Sequence, residues 1–221
     1  MSQCLARTQA GEEGVMDDVR SANDEAQVAE SPLAWKTRDV VVAAALAVPL
    51  GLIWSLVWGQ VWTFARALSP ELGFFVAGFY VAAGVIVGYV VRRPGAALLG
   101  EMIGALIEVP LTPFGAAALV IGFLQGIGTE AVFAATRYRN WSTPVLLAAG
   151  AVGAACGFFG YEYWVFGYGS FGIGVLALRF GARVLGGAIL GGLCSKLIAD
   201  ALVPTGVLNN FPIARSRVRE I

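Results

Sequence analysis

The chain alternates between long apolar stretches and short polar or turn-forming connections. The apolar stretches are each about as long as the ~20 residues that an α-helix needs to cross the hydrocarbon core of a bilayer. They cover 40–62, 73–91, 95–111, 115–136, 143–166 and 179–203. The third is the shortest, and Pro110 near its end predicts a broken or tilted terminus. The pattern predicts an all-α polytopic membrane protein with six transmembrane helices.

Composition supports this fold class and excludes several functions. Of the 221 residues, 57% are hydrophobic and 14% are charged, whereas a soluble domain has roughly a quarter of its residues charged. The sequence has no histidine, no CxxC pair and no GxxxxGK[ST] phosphate loop. We therefore expect no cofactor, no metal site, no His-based catalysis and no ATP hydrolysis by this chain itself. Nothing in the sequence indicates nucleic-acid binding.

Three parts are predicted along the chain. Residues 1–35 carry seven acids against Arg7 and Arg20 and lack an apolar segment, which predicts a disordered acidic N-terminal tail. Residues 36–210 form the six-helix transmembrane domain. Residues 211–221 form a basic cytoplasmic C-terminal tail that contacts an anionic leaflet.

The distribution of basic residues predicts the orientation of the helices, since cytoplasmic loops are rich in Lys and Arg. With the N-terminus inside, the inner connections hold nine basic residues and the outer ones hold at most three. The inner ones are Lys36, Arg38, Arg92, Arg93, Arg137, Arg139, Arg215, Arg217 and Arg219, and the outer ones are Arg66, Arg179 and Arg183. We expect both termini to be cytoplasmic.

Four glutamates are the first candidates for function. Glu101 and Glu108 lie seven residues apart in the third span, so on a helix they share one face about 10 Å apart. Glu130 follows Gly122 and Gly126 in the fourth span, and Glu162 lies near the outer end of the fifth. A charge at the centre of a membrane helix costs ~2.5–3.5 kcal/mol on insertion scales, so each acid is a candidate functional residue.

Two roles are open for these acids. Each could make an interhelical hydrogen bond that only fixes packing, or together they could line a cavity for a cationic or amine-bearing solute. The small number of intramembrane cations favours the cavity. Glu101 is the weakest member, because it lies near Arg92 and Arg93 and could pair with them.

Aromatic side chains near the predicted outer face fit the cavity. Trp54, Trp58 and Trp62 recur every fourth residue in the first span. A second cluster surrounds Tyr163 in the fifth span, while Gln125 lies inside the fourth. Trp62, together with Tyr168 of that cluster, is typical of an interfacial aromatic belt. Trp54 and Trp58 lie deeper and could stack on a flat ring or hold a cation.

Small residues recur at four-residue spacing in the spans. The sets are Ala43, Ala47 and Gly51, Gly84 and Gly88, Gly100 and Gly104, Gly122 and Gly126, Gly153 and Gly157, and Gly187 and Gly191. Such faces let helix backbones approach closely in lipid. We expect most of them to pack inside the bundle and one or two to face a partner.

Two stretches carry a resemblance to a known family. One is Arg93-Pro94-Gly95-Ala96-Ala97-Leu98 with Glu101 and Ala105-Leu106-Ile107-Glu108, and the other runs from Gly122 to Glu130 and on to Arg137-Tyr138-Arg139-Asn140-Trp141. Together they resemble the YkoE family, the membrane S components of energy-coupling-factor (ECF) transporters associated with thiamine and its hydroxymethylpyrimidine precursor. The similarity runs from about Trp35 to the C-terminus and leaves the acidic tail outside.

The resemblance implies a six-helix substrate-binding S component that captures a vitamin from outside without catalysing a reaction. It also implies docking on a transmembrane T component through an Ala-xxx-Ala face, which Ala43 and Ala47 match, while partner ATPase subunits drive transport. Pro49, just beyond that face, is a departure from the family pattern and could kink the helix. Thiamine offers an aminopyrimidine edge for Glu108 or Glu130, a flat ring for Trp54 or Trp58, and a cationic thiazolium for Glu162. The complete candidate site is Glu108, Glu130, Trp54, Trp58, Gln125, Glu162, Tyr163 and Glu101.

Two other classes remain open. A stand-alone proton-coupled carrier of a small cationic or amine solute would use the same glutamates as a proton relay, although no internal repeat is visible. An intramembrane enzyme is disfavoured, because no nucleophile constellation or paired Asp motif is present.

Overall fold

The structure is a computed structural model and describes residues 35–209 and 211–214. The predicted acidic tail, apart from Trp35, and residues 215–221 lie outside the described residues. Within the described residues the chain forms helices and no strands. Six long helices follow one another: α1 Thr37–Leu68, α2 Pro70–Val91, α3 Ala96–Leu111, α4 Ala117–Ala135, α5 Thr143–Val165 and α6 Ile173–Thr205. The predicted all-α membrane fold is confirmed.

Five of these helices are long and apolar enough to cross a membrane, and α3 is shorter, at 16 residues. The predicted third span was also the shortest, and Pro110 lies inside the last turn of α3. Two boundaries differ by six residues: α6 begins at Ile173 rather than at 179, and α1 ends at Leu68 rather than at 62. Arg179, the first residue of the predicted sixth span, therefore lies inside α6 rather than at its start.

Helix α2 is the centre of the bundle. Its second half, Ala82–Val91, is buried at every residue, whereas α1 and α6 expose many large apolar side chains such as Phe64 and Leu178. Because lipid solvates apolar side chains as well as a protein core does, this exposure is expected of a membrane bundle. The bundle therefore has an interior formed around α2 and an outer surface suited to lipid.

Glycines hold the helices close enough for backbone to meet backbone. A Cβ at Gly51 of α1 would lie 2.8 Å from the carbonyl oxygen of Gly104 in α3. A Cβ at Gly78 of α2 would fall on the backbone of Gly186 and Gly187 in α6. The predicted intramolecular role of the small residues is therefore confirmed at Gly51, Gly104 and Gly187, and Gly78 and Gly186 add a contact that was not predicted.

Several helices contain a segment of altered pitch. Wide π-helical turns occur at Trp54–Trp58 in α1, Phe158–Glu162 in α5 and Gly187–Leu193 in α6. A tighter 3₁₀ segment occurs at Gly78–Val81 in α2, where α2 meets α6. Such irregular turns are frequent at functional sites, and two of the three π segments contain predicted site residues, Trp54 and Glu162.

We predict that Gly186→Ala destabilises the protein and that Gly181→Ala, in the same helix, does not. A Cβ at Gly186 would fall on the carbonyl of Phe75, which is backbone and cannot move aside, whereas a Cβ at Gly181 meets nothing within 4 Å. Overpacking of this kind costs about 1–3 kcal/mol. Thermal unfolding of the two purified variants in detergent would measure the difference, and equal midpoints would contradict it.

Candidate functional site

A cavity of about 520 Å³ opens among the helices near the end of the bundle that is predicted to face outwards. This volume lies within the ~300–1,000 Å³ typical of pockets for small organic ligands. All six helices contribute to its lining. The lining includes Trp54, Trp62, Arg66, Phe74, Tyr80, Glu101, Glu108, Gln125, Glu162, Tyr168, Phe171, Arg179 and Arg183. The structure thus brings together five of the eight predicted site residues: Trp54, Glu101, Glu108, Gln125 and Glu162.

Glu101 is fully buried in the cavity wall, with 1% of its surface exposed. Its Oε1 accepts a hydrogen bond from the backbone N–H of Gly84 at 2.6 Å. Gly84 lies in the first turn of the α-helical segment that follows the 3₁₀ turn of α2, where backbone amides are available to outside acceptors. The backbone that follows the 3₁₀ turn therefore holds the carboxyl group of Glu101 in place. The suggested pairing of Glu101 with Arg93 is not what the structure shows, since Arg93 forms an ion pair with Asp39 at 3.3 Å.

Six polar atoms of residues that line the cavity are buried without a hydrogen-bond partner in the described part of the chain, and four of them belong to α1, α3 and α4. Two are acceptors, Oε2 of Glu101 and Oε1 of Glu108, and two are donors, Nε1 of Trp54 and Nε2 of Gln125. Leaving such a group unpaired costs about 1–3 kcal/mol. These two acceptors and two donors lie on α1, α3 and α4. They could pair with a ligand that has both hydrogen-bond donors and acceptors on its edges.

Glu162 has a partner that the sequence analysis missed. Its Oε1 accepts a hydrogen bond from Nη2 of Arg183 at 2.7 Å, and Arg183 is 2% exposed. The sequence analysis expected few intramembrane cations to pair these acids, and Arg183 of α6 is one that pairs with Glu162. A buried pair of this kind is costly to break by removing one partner. Glu162 is thus less available to a cationic ligand than Glu101 and Glu108 are.

Aromatic rings form much of the remaining wall. The rings of Trp54 and Tyr80 lie 5.8 Å apart, and Phe74 contacts Tyr168 edge to face at 5.4 Å. Trp62 and Tyr168, which the sequence assigned to an interfacial belt, line the cavity instead. The cavity therefore offers flat apolar surfaces beside its polar atoms, as pockets for ring-shaped ligands do.

Trp58 and Tyr163 do not line this cavity. The indole N–H of Trp58 donates to the carbonyl of Val76 at 3.1 Å, and its ring lies 4.4 Å from that of Phe79. The wide turn at Trp54–Trp58 changes the phase of α1, so that Trp54 and Trp62 line the cavity and Trp58 does not. The ring of Tyr163 lies against Trp164, at 5.0 Å.

Glu130 also lies outside the cavity lining, at the opposite end of α3. Its carboxylate accepts hydrogen bonds from the backbone N–H groups of Gly95, at 2.7 Å, and Ala97, at 2.9 Å. The hydroxyl of Tyr138 donates to it at 2.7 Å. Burial and the neighbouring Glu130 raise the pKa of the Tyr138 phenol, which keeps this donor protonated. Glu130 therefore acts as a cap for the positive end of the α3 dipole.

Ala43 and Ala47, predicted to face a partner, are completely buried within the bundle, at 0% exposure. This prediction is wrong for the conformation observed here, because their face of α1 packs inside the protein. The accessible face of the same segment contains Val41, Ala45 and Pro49.

Sequence reasoning missed the arginines of the wall and Tyr80. The signal for Arg179 and Arg183 was present, since they lie one helical turn apart after an apolar run that starts at Ile173. Tyr80 carried no such signal, because its position in the wall depends on the 3₁₀ turn of α2.

Comparison with known proteins agrees with this architecture. The model of a family described as the permease component of an ABC-type cobalt transport system matches residues 38–156. In the described residues, no group of three or more His, Cys, Asp or Glu side chains is placed to hold a metal ion.

Two individual proteins are similar over most of the chain. The putative HMP/thiamine permease protein YkoE of Bacillus subtilis (strain 168) is 36% identical over 182 residues, which is 82% of this chain and 91% of that protein. The crystal structure of an S component of an ECF transporter superposes with a TM-score of 0.80 at 34% identity and covers 85% of this chain and 95% of that one. The fold, the membrane helices and these relatives agree, and the chain belongs to the YkoE-like family of S components, the substrate-binding membrane subunits of ECF transporters.

Proposed function

We propose that this subunit captures thiamine or its hydroxymethylpyrimidine precursor from outside the cell in the cavity described above. The observation that carries the proposal is the set of unpaired polar atoms on Glu101, Glu108, Trp54 and Gln125. An aminopyrimidine presents an exocyclic amine, which donates, and ring nitrogens, which accept. The two carboxylates would accept from the amine, and the indole and amide N–H groups would donate to the ring.

The thiazolium ring of thiamine fits the same wall. It is a permanent cation, and the carboxyl groups of Glu101 and Glu108 form no ion pair within the described residues. Trp54 and Tyr80 supply aromatic faces next to these acids, and such faces attract cations when water is excluded. The free precursor lacks the thiazolium and would use the pyrimidine contacts alone.

Transport itself would depend on other chains. The sequence has no phosphate-binding loop, so partner ATPase subunits would hydrolyse ATP and a transmembrane T component would connect them to this subunit. Both termini would lie in the cytoplasm, with the cavity opening to the outside. The face of α1 that contains Val41, Ala45 and Pro49 is accessible and holds a small residue, and we assign the T-component contact to it in place of Ala43 and Ala47.

The proton-coupled carrier is the second candidate, and the buried acids Glu101 and Glu108 are the observation in its favour. Such a carrier would accumulate substrate without partner subunits. Uptake of labelled thiamine in cells with and without the T and ATPase subunits separates the two functions.

We predict that Glu108→Gln and Glu101→Gln each lower the affinity for thiamine by about tenfold or more. A hydrogen bond to a charged group contributes about 1.5–3 kcal/mol, and 1.4 kcal/mol is a factor of ten. Quenching of tryptophan fluorescence in the purified protein would measure binding, since Trp54 lines the cavity. Asp200→Asn is the control, because Asp200 pairs with Lys196 and does not line the cavity. An unchanged affinity in either glutamine variant would remove that residue from the site.

We also predict that Ala45→Phe lowers thiamine uptake by the whole transporter while leaving binding by the purified subunit unchanged. A phenyl ring at this accessible position would prevent close approach of a partner helix. Ala131→Phe is the control, since Ala131 is exposed on α4, away from this face. Equal uptake by the two variants would place the partner contact elsewhere.

A further inference from the structure

The acidic and basic side chains of the cavity wall lie in different parts of the cavity. Three acids and three arginines line it: Glu101, Glu108, Glu162, Arg66, Arg179 and Arg183. Glu162 and Arg183 pair with each other. The other two acids lie on α3, while Arg66 lies in the last turn of α1 and Arg179 in the first half of α6, both near the predicted outer end. Carboxyl groups therefore line the α3 side of the cavity, and two arginines lie at its mouth.

Arg66 has no ion-pair partner among residues 35–209 and 211–214. Its guanidinium lies over the ring of Trp62, with its Cζ 5.3 Å from the ring centre. The contact orients the guanidinium and leaves its N–H donors available in the plane, the arrangement with which Arg binds planar or tetrahedral anions.

Arg179 also lines the cavity and is held by similar contacts. Its Cζ lies 4.2 Å from the ring centre of Phe171, and its side chain is only 17% exposed. Its Nε is buried without a hydrogen bond, and the nearest carboxylate oxygen, Oε1 of Glu71, lies 3.7 Å away. Because that distance is too long for a hydrogen bond, Glu71 offsets the charge of Arg179 only in part.

The phenol of Tyr168, on the connection between α5 and α6, lines the cavity together with these arginines. Burial raises its pKa to about 12, and Glu162 acts in the same direction, while Arg66, Arg183 and Arg179 all act against them. At neutral pH this hydroxyl stays protonated and can donate a hydrogen bond.

We infer that the mouth of the cavity is an anion subsite, formed by Arg66, Arg179 and Tyr168, that accepts the phosphate group of a phosphorylated ligand. The inference rests on the proposed function, since the heterocycle would occupy the wall around Glu101 and Glu108. The hydroxyethyl arm of thiamine would then point to the mouth, and a phosphate monoester on that arm would meet the arginines. Charge-assisted hydrogen bonds of this kind are stronger than neutral ones.

Thiamine and thiamine monophosphate, titrated against the purified full chain, test this assignment. We expect wild type to bind the monophosphate at least as tightly as thiamine. In Arg66→Gln and Arg179→Gln, the affinity for the monophosphate should fall at least fivefold more than that for thiamine. Arg139→Gln, an exposed arginine outside the cavity lining, is the control and should leave the ratio of the two affinities unchanged.

The subsite is overturned if wild type binds the monophosphate more than tenfold more weakly than thiamine, or if the arginine variants lower both affinities equally. Binding of neither heterocycle would count against the proposed function, and inorganic phosphate then tests the anion subsite separately. Phosphate should change the tryptophan fluorescence of wild type, since Arg66 lies on Trp62, and should leave that of Arg66→Gln unchanged. An unchanged wild-type signal would exclude the subsite.

Discussion

Close backbone contact through glycine is the constraint on which this bundle depends. Lipid solvates apolar side chains well, so the helices gain little by hiding them from one another and associate instead through tight small-residue faces. Gly51 against Gly104 brings α1 into such contact with α3, and Gly78 against Gly186 brings α2 into such contact with α6. A bundle held this firmly can keep an open cavity and tolerate buried polar atoms that no neighbour satisfies.

The irregular turns of the helices are the second feature on which the site depends. The backbone amide that holds Glu101 belongs to Gly84, just after the 3₁₀ turn of α2, and the wide turn in α5 contains Glu162. A straight, regular helix satisfies its own amides and has none to offer a side chain. The site therefore depends on places where a helix departs from its ordinary pitch.

Hydropathy was sufficient to predict the six helices, their order and the short third span, because crossing a bilayer requires long uninterrupted apolar runs. Polar and aromatic residues inside those apolar runs also pointed to Glu101, Glu108, Gln125 and Trp54, which line the cavity. Residue periodicity wrongly predicted that Trp58 lines the cavity, because the pitch of α1 changes at Trp54–Trp58. It also gave no indication that Arg183 of α6 pairs with Glu162 of α5. It failed again at Ala43, since a small-residue face looks the same whether it packs inside or outside.

The wide turn at Phe158–Glu162 has a consequence for how this sequence can vary. Such a turn holds one residue more than an α-helical turn, and each residue of an α-helix advances the direction of side chains by about 100°. Removing a single residue there would restore an ordinary helix and swing Glu162 away from Arg183, even with every other amino acid unchanged. Relatives that keep the ion pair should therefore keep the length of this segment even where its residues differ.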